Sequence, residues 1–399
     1  MSSTMSDPGL KFSPNTLPEL AQFVTDNATN ARRVLLPLGG GTACPQSTAQ
    51  DAVELRLDKL NRVIDYPARD MTITVEAGIR MAELTRILNA ENQRLPIDVP
   101  QAEQATLGGV IATNWSGSRR FGCGTMRDYV IGISAIDASG REFKAGGRVV
   151  KNVAGYDLCK LLIGSRGSLA IITQVTLKLR PMLETSALVR LTFNSLSQID
   201  AVLNRLLSSA TRPVVIDVLS DASRPPTLII GYEGASRETS WQVETLLKEC
   251  RPFEPHAAES LTEADTEGLW NSLRDFSVKT NSLATFKASL PPSRVCEFLR
   301  LATEAGITAQ AHAGNGIVIG HLPNRVTTGD QAATLLKPLG KLVCSSGGQL
   351  SVLRTPHDWP MLDVTAESCA GSLAWTQRLK RQLDPHSLFN PGVMAFGLA

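Results

Sequence analysis

Three glycine-rich constellations carry the chemistry legible in this chain. The first is Pro37-Leu-Gly-Gly-Gly-Thr-Ala-Cys-Pro45, directly after an apolar run from Arg33 to Leu38. Glycines lack a Cβ, so consecutive backbone N–H groups can converge on one point and form a concavity that binds phosphate oxygens. Leu38, Gly39, Gly40, Gly41, Thr42 and Ala43 are therefore candidates to cradle a pyrophosphate. A Rossmann fingerprint requires a glycine where Cys44 stands, and a Walker loop requires a terminal Gly-Lys-Ser/Thr that neither this loop nor Gly117 to Gly122 supplies. Taken alone, the loop is as well explained by a turn without a ligand.

The second constellation is Thr106-Leu-Gly-Gly-Val-Ile-Ala-Thr-Asn114, followed by Ser116, Gly117 and Gly122. A flat ring lying against backbone needs small residues at each approach and a few hydroxyl and amide groups at its edge. The third is Gly155-Tyr-Asp-Leu with Gly164-Ser-Arg-Gly-Ser-Leu-Ala-Ile-Ile-Thr173, a glycine turn feeding an apolar strand that can pack against an adenine.

Hydropathy periodicity outlines the scaffold that must bring these segments together. Helical spacing from Asn15 to Ala28 leads into a strand at Arg33 to Leu38. Short strands follow near Val53 to Leu57, Val63 to Asp65 and Thr72 to Val75, then a helix from about Met81 to Asn89. Between Pro96 and Gly124 periodicity is lost, and the segment reads as a long irregular stretch of the kind that carries function. Strands at Val130 to Asp137, Glu142 to Phe143 and Ala170 to Leu179, with a helix around Asp157 to Ile163, close the unit, and Arg180-Pro181 breaks the last strand. From about Ser186 to Leu373 the order becomes strand, helix, strand, strand, helix, strand, which implies an antiparallel sheet with helices on one face. A final helix, about Ser372 to Leu383, stops at Asp384-Pro385, and Asn390-Pro391-Gly392 makes a turn. No exact repeat is visible.

A length of 399 residues exceeds what one core usually spans. The expected class is α+β, with a ligand-binding domain over residues 1–185, a small antiparallel cap over 186–373, and a segment 374–399 that returns to the first domain. Forty basic and 38 acidic residues are interspersed without a basic tract, so no nucleic-acid partner is expected. The pairs Arg119-Arg120 and Lys380-Arg381 read first as solvated surface. Seven scattered cysteines without a CxxC give no support for a metal or iron–sulfur centre in this chain and suggest a reducing compartment. The N-terminal residues carry no apolar signal-like run, and no stretch approaches 18 uninterrupted apolar residues. A cytoplasmic chain is expected, touching a membrane only through partners.

The glycine loop, TLGGVIATN, Lys151-Asn-Val-Ala-Gly-Tyr-Asp157, GSRGSLAIIT and the closing Leu383-Asp-Pro-His-Ser-Leu-Phe-Asn-Pro-Gly392 occur in the order seen in vanillyl-alcohol-oxidase-type flavoproteins, whose FAD domain is of the PCMH type. The short cap and the KNVAGYDL wording most resemble the E-subunit family of bacterial glycolate oxidases. That resemblance implies a PCMH-type FAD domain of two α+β subdomains and an FAD-dependent oxidoreductase subunit acting on glycolate or another small 2-hydroxy acid. Its partners would be a larger FAD-containing sister subunit and an iron–sulfur subunit. It places the pyrophosphate on Leu38 to Ala43, the flavin along Thr106, Leu107, Gly109, Ala112, Asn114, Ser116 and Gly117, and the adenine side near Gly167, Ile171 and Ile172, with Pro100 and Asn390 as further cofactor-binding residues. Thr42 and Ala43 stand where family members often carry a tethering histidine, so non-covalent FAD is expected.

Related 2-hydroxy-acid dehydrogenases carry a His-x-Gly-Asp-Gly-Asn-x-His segment and a later Glu-His pair. This chain has His312-Ala-Gly-Asn-Gly-Ile-Val-Ile319, and no Glu-His near Cys344-Ser-Ser-Gly-Gly-Gln. Oxidising a 2-hydroxy acid needs a base, a carboxylate anchor and the flavin. His312 is the sole catalytic candidate and reads first as a satisfied core or interface histidine. Arg354 and Arg274 are conceivable anchors that read first as structural. The expectation is a chain that relays electrons or stabilises a complex while oxidation proceeds mainly on the sister subunit. The alternatives are a stand-alone dehydrogenase of another hydroxy acid and a scaffold with a vestigial cofactor site.

Overall fold

The computed structural model describes residues 10–43, 52–147, 157–262, 266–278, 281–356, 359 and 370–391. Cys44, Pro45, Lys151 to Tyr156 and Gly392 lie outside the described residues.

Ile171–Lys178 begins with three buried residues and then alternates half-buried with buried positions. This apolar strand is the middle of a five-stranded antiparallel sheet. The order is Val63–Asp65, Thr72–Glu76, Ile171–Lys178, Val130–Ile136, Glu142–Gly146. Its apolar face shares a core with Leu84, Leu88, Leu107, Val110 and Ile111. A smaller parallel sheet, ordered Lys11–Phe12, Val53–Arg56, Leu35–Leu38, packs beside it. Helix Leu17–Asp26 covers this sheet, and the Thr16 side chain caps its first turn by accepting from Glu19 N. Leu35, Leu55, Ile171 and Phe389 are fully buried where the two subdomains meet, each worth about 1.5–3 kcal/mol of burial.

The stretch from Pro96 to Gly124 departs from expectation, because Leu107–Thr113 is a helix. Thr106 caps it by accepting from Gly109 N, and Asn114 ends it at φ 48°. Glycine usually weakens a helix interior. Here Gly108 N donates to Ala77 O at 2.7 Å, and a Cβ on Gly108 would stand 2.9 Å from the Ala77 methyl. The glycines buy close helix packing, which periodicity does not reveal.

The cap is one eight-stranded antiparallel sheet in the order Ala257–Thr262, Thr185–Thr192, Arg224–Gly234, Val215–Asp221, Thr308–His312, Ile317–His321, Thr285–Ser289, Gln349–Arg354. Each half has the strand, helix, strand, strand, helix, strand order of a ferredoxin-like unit, and the two halves join where Val215–Asp221 pairs with Thr308–His312. Side chains alternate across the sheet. Val218, Ala309, Ala311, Val318, Phe286 and Leu350 point into the helix-covered core. Asp217, Gln310, His312, Ile317, Ile319 and Lys287 share the opposite face by register. Helix Thr266–Asp275 covers the first half of that face through Leu269, Trp270 and Leu273.

Candidate functional site

The three glycine-rich segments converge. The loop after Leu35–Leu38 lies against residues 104–106: a Cβ on Gly39 would collide with the Thr106 hydroxyl, and one on Gly40 with the Gln104 carbonyl. A Cβ on Gly41, at φ +71°, would meet none of the described residues within 4 Å. The turn 164–167 docks on the end of helix Leu107–Thr113, with Gly164 N donating to Ile111 O at 3.0 Å and Arg166 N to Ala112 O at 2.7 Å. The C-terminal segment closes the group, since Asn390 Nδ2 donates to Arg166 O at 2.7 Å and Leu35 N to Leu388 O at 2.7 Å. Asn114 Oδ1, Ser165 Oγ and Asn390 Oδ1 are buried without a partner among the described residues. An orphaned buried acceptor or hydroxyl is costly unless a ligand meets it. A side-chain-free loop beside three such atoms fits a nucleotide cofactor with a phosphate end and a hydrogen-bonding end.

Of the sequence-predicted residues, Gly39, Gly40, Gly41, Thr106, Gly109, Ala112, Asn114, Gly167 and Asn390 belong to this convergence, with Leu38, Thr42 and Ala43 on the same loop. Ser116 and Gly117 continue the segment towards the cap, where Ser116 accepts from Arg120. Leu107, Ile171 and Ile172 differ: their side chains are packed in the domain cores. Pro100 is buried as well.

Beyond Asn114 the chain runs against the polar face of the cap sheet. Gly122 packs on Val214, and the Phe121 ring on Gly314. Here Ser118 Oγ donates to Asp217 Oδ2 at 2.6 Å, Gln310 Nε2 donates to the same oxygen at 2.7 Å, and His312 Nδ1 meets Asp217 Oδ1 at 2.8 Å. All four side chains are buried. His312 is thus an interface histidine satisfied on one nitrogen only, for Nε2 has no partner among the described residues. Ile319 occupies the same face.

Cations gather beside it. The Lys287 ammonium forms no hydrogen bond or ion pair among the described residues, and burial, then Arg120 and Arg166, push it down to about 8. Burial also lowers Arg120 and Arg166. Sequence reasoning missed Lys287; its place in a strand whose neighbours at 286 and 288 face the core was the available signal.

Two surface assignments need correction. Arg119 is not solvated: it pairs with Asp98 and Glu233 and lies 3.8 Å over Trp270, tying the first domain to the cap, while Arg94 joins Glu233 at 2.9 Å. Burial pushes the Glu233 carboxyl up, and Arg119 and Arg94 more than reverse this. Arg120, the residue after Arg119, is half-buried and donates to Ser116 Oγ. Lys380 is also half-buried, donating to Ser168 O, Phe389 O and Asp384, whereas Arg381 is exposed. Burial matched by a partner keeps these charges inside. Arg274 is bidentate on Asp275, and Arg354 donates to Ser282 O, so both serve the cap.

Residues 8–146 match the family described as FAD binding domain. The chain is 27% identical to glycolate oxidase subunit GlcD of Bacillus subtilis over 62% of its own length and 53% of that protein. It is 27% identical to a D-lactate dehydrogenase of Archaeoglobus fulgidus over 89% of the chain and 84% of the relative. Glycolate oxidase subunit GlcE of Escherichia coli matches at 36% over 129 residues, 32% of this chain and 37% of that one. Among solved structures, alkyldihydroxyacetonephosphate synthase superposes with a TM-score of 0.68 at 19% identity, covering 96% of this chain and 75% of its own, which speaks for the fold alone. The matched domain and the hydroxy-acid relatives are compatible with this convergence of glycines and orphaned polar atoms: the chain is an FAD-dependent oxidoreductase with an FAD-binding domain over residues 8–146.

Proposed function

We propose that this chain oxidises a small 2-hydroxy acid at its own, non-covalently held FAD, with His312 as the proton acceptor. The cofactor would rest on Gly39 to Ala43, Thr106 to Asn114, the 164–167 turn and Asn390, with its flavin end towards Ser116 and Gly117. When bound, FAD supplies the hydride acceptor. His312 takes the hydroxyl proton, Lys287 with Arg120 anchors the carboxylate, and Ile317 and Ile319 keep water from the reacting carbon. The observation that carries this reading is the buried, unpartnered Nε2 of His312 at the seam between the FAD domain and the cap. The expectation of a relay rested on the missing second histidine and the missing Glu-His pair; the carboxylate partner of His312 supports a catalytic role here instead.

The test is anaerobic mixing of the FAD-reconstituted chain with glycolate, D-lactate and 2-hydroxyglutarate. At least one should bleach the flavin, and His312→Gln should slow bleaching about 10²–10⁴-fold. Bleaching of His312→Gln at the native rate, or none by any 2-hydroxy acid in the native chain, would refute the proposal. Acid precipitation should release all the flavin.

A second reading concerns assembly, and the match to GlcE supports it. Here the chain works in a complex with a larger FAD-containing sister subunit and an iron–sulfur subunit, through which electrons leave. Purification of the tagged chain with its native neighbours, followed by a count of flavin and iron per chain, tests this. A flavin-loaded chain that co-purifies with neither subunit would count against it.

A further inference from the structure

The side chains that set the chemistry of His312 come from both domains. Asp217 lies directly opposite His312 across the strand pair that joins the two half-sheets of the cap. A carboxylate fully removed from solvent in a strand interior is unfavourable unless donors converge on it. Three do: His312 Nδ1 at 2.8 Å on Oδ1, and Ser118 Oγ at 2.6 Å with Gln310 Nε2 at 2.7 Å on Oδ2. A carboxylate offers only acceptors, so in the neutral ring the hydrogen sits on His312 Nδ1 and Nε2 keeps a bare lone pair. Ser118 is 99 residues from Asp217 in sequence and belongs to the segment that leads from the cofactor convergence. That segment is pinned by Gly117, whose Cβ would stand 2.5 Å from the Asp98 Cβ.

We infer that Asp217 and Ser118 are positioning residues: Asp217 holds His312 with Nε2 bare, and Ser118 locks that carboxylate only when the FAD domain and cap are docked. This rests on His312 being the base. The donors on Oδ2 make the inference specific. In Asp217→Asn, Ser118 and Gln310 still require an oxygen acceptor, which turns the new amide NH₂ towards His312 Nδ1. The ring must then accept on Nδ1 and carry its hydrogen on Nε2, where it cannot take a proton from a hydroxyl.

The experiment uses the full chain reconstituted with FAD and labelled with ¹⁵N-histidine; five histidines keep the spectrum assignable. In the native chain the His312 Nε2 signal should be that of a bare nitrogen, and in Asp217→Asn that of a protonated one. In the same variant kcat should fall about 10²-fold or more with KM nearly unchanged. Asp217→Glu should restore the native tautomer and part of kcat. Ser118→Ala, which removes one donor and little volume, should lower kcat about tenfold while leaving KM in place. Native tautomer and native kcat in Asp217→Asn would overturn the inference, as would native kcat in Ser118→Ala should Asp217→Asn not fold. An active His312→Gln would instead sink the base assignment. A dead His312→Gln beside a fully active Asp217→Asn would sink the positioning roles alone.

Discussion

Two neighbouring glycines should respond to substitution in opposite ways. At Gly40 an added Cβ would stand 2.5 Å from the Gln104 carbonyl carbon and closer still to its oxygen. This is backbone held by Gln104 N donating to Gln101 O, so it has little room to yield. Overpacking of this kind costs about 1–3 kcal/mol, and a backbone neighbour argues for the upper end. Gly40→Ala should therefore lose about 3 kcal/mol in urea unfolding of the FAD-free chain. At Gly41 no atom of the described residues lies within 4 Å of the added Cβ, and the φ of +71° is one that asparagine adopts readily. Gly41→Asn should cost the FAD-free chain less than about 1 kcal/mol. Yet its side chain projects into the open side of the loop where the pyrophosphate is proposed to rest. FAD affinity, read by quenching of flavin fluorescence on titration, should weaken at least tenfold, equivalent to about 1.4 kcal/mol. Native FAD affinity in Gly41→Asn would refute the placement of the cofactor on this loop. Native stability in Gly40→Ala would refute the contact with residues 104–106.

Lys287, pushed down to about 8, is a cation below that pH and neutral above it. KM for a 2-hydroxy acid should be flat below pH 8 and rise about tenfold per unit above it, and Lys287→Arg should abolish the rise. Because the folded chain binds this proton more weakly than the unfolded one, the group also makes stability of the FAD-free chain increase between pH 8 and about 10. Arg119→Leu strips Asp98 and Glu233 of their shared partner and should cost about 3–5 kcal/mol in urea unfolding; a loss under about 1 kcal/mol would contradict the ionic clamp between the domains. Lys380→Met leaves the fully buried Asp384 with only the Leu388 and Phe389 amides among the described residues, and should cost about 3 kcal/mol while weakening FAD binding through the 164–168 turn. Unchanged FAD affinity in that variant would detach the C-terminal segment from the cofactor site.

Much of the architecture was legible because it is written locally. The strands Val63–Asp65, Thr72–Glu76 and Val130–Ile136 and the helix Met81–Ala90 follow from two- and 3.6-residue periodicities within a few residues of one another. The glycine loop was legible for the same kind of reason, since the absence of a Cβ is a property of the residue itself. Helix Leu107–Thr113 was hidden because its glycines serve a contact with Ala77 that lies 31 positions away. The doubled βαββαβ plan of the cap left no visible repeat, since burial pattern alone suffices to build each half.

The sequence by itself determined which segments lack side chains, where strands and helices run, and that a flavin-type nucleotide site was to be expected. Only the tertiary structure decided which charges are withdrawn from solvent and what the histidine bonds to. Arg119 meets Glu233 from 114 positions away, Lys380 meets Ser168 from 212, and His312 meets Asp217 from 95. Residue type fixes a charge or an imidazole, but solvation and hydrogen-bond partners fix its behaviour, and those arise only when distant strands pair and the two domains close.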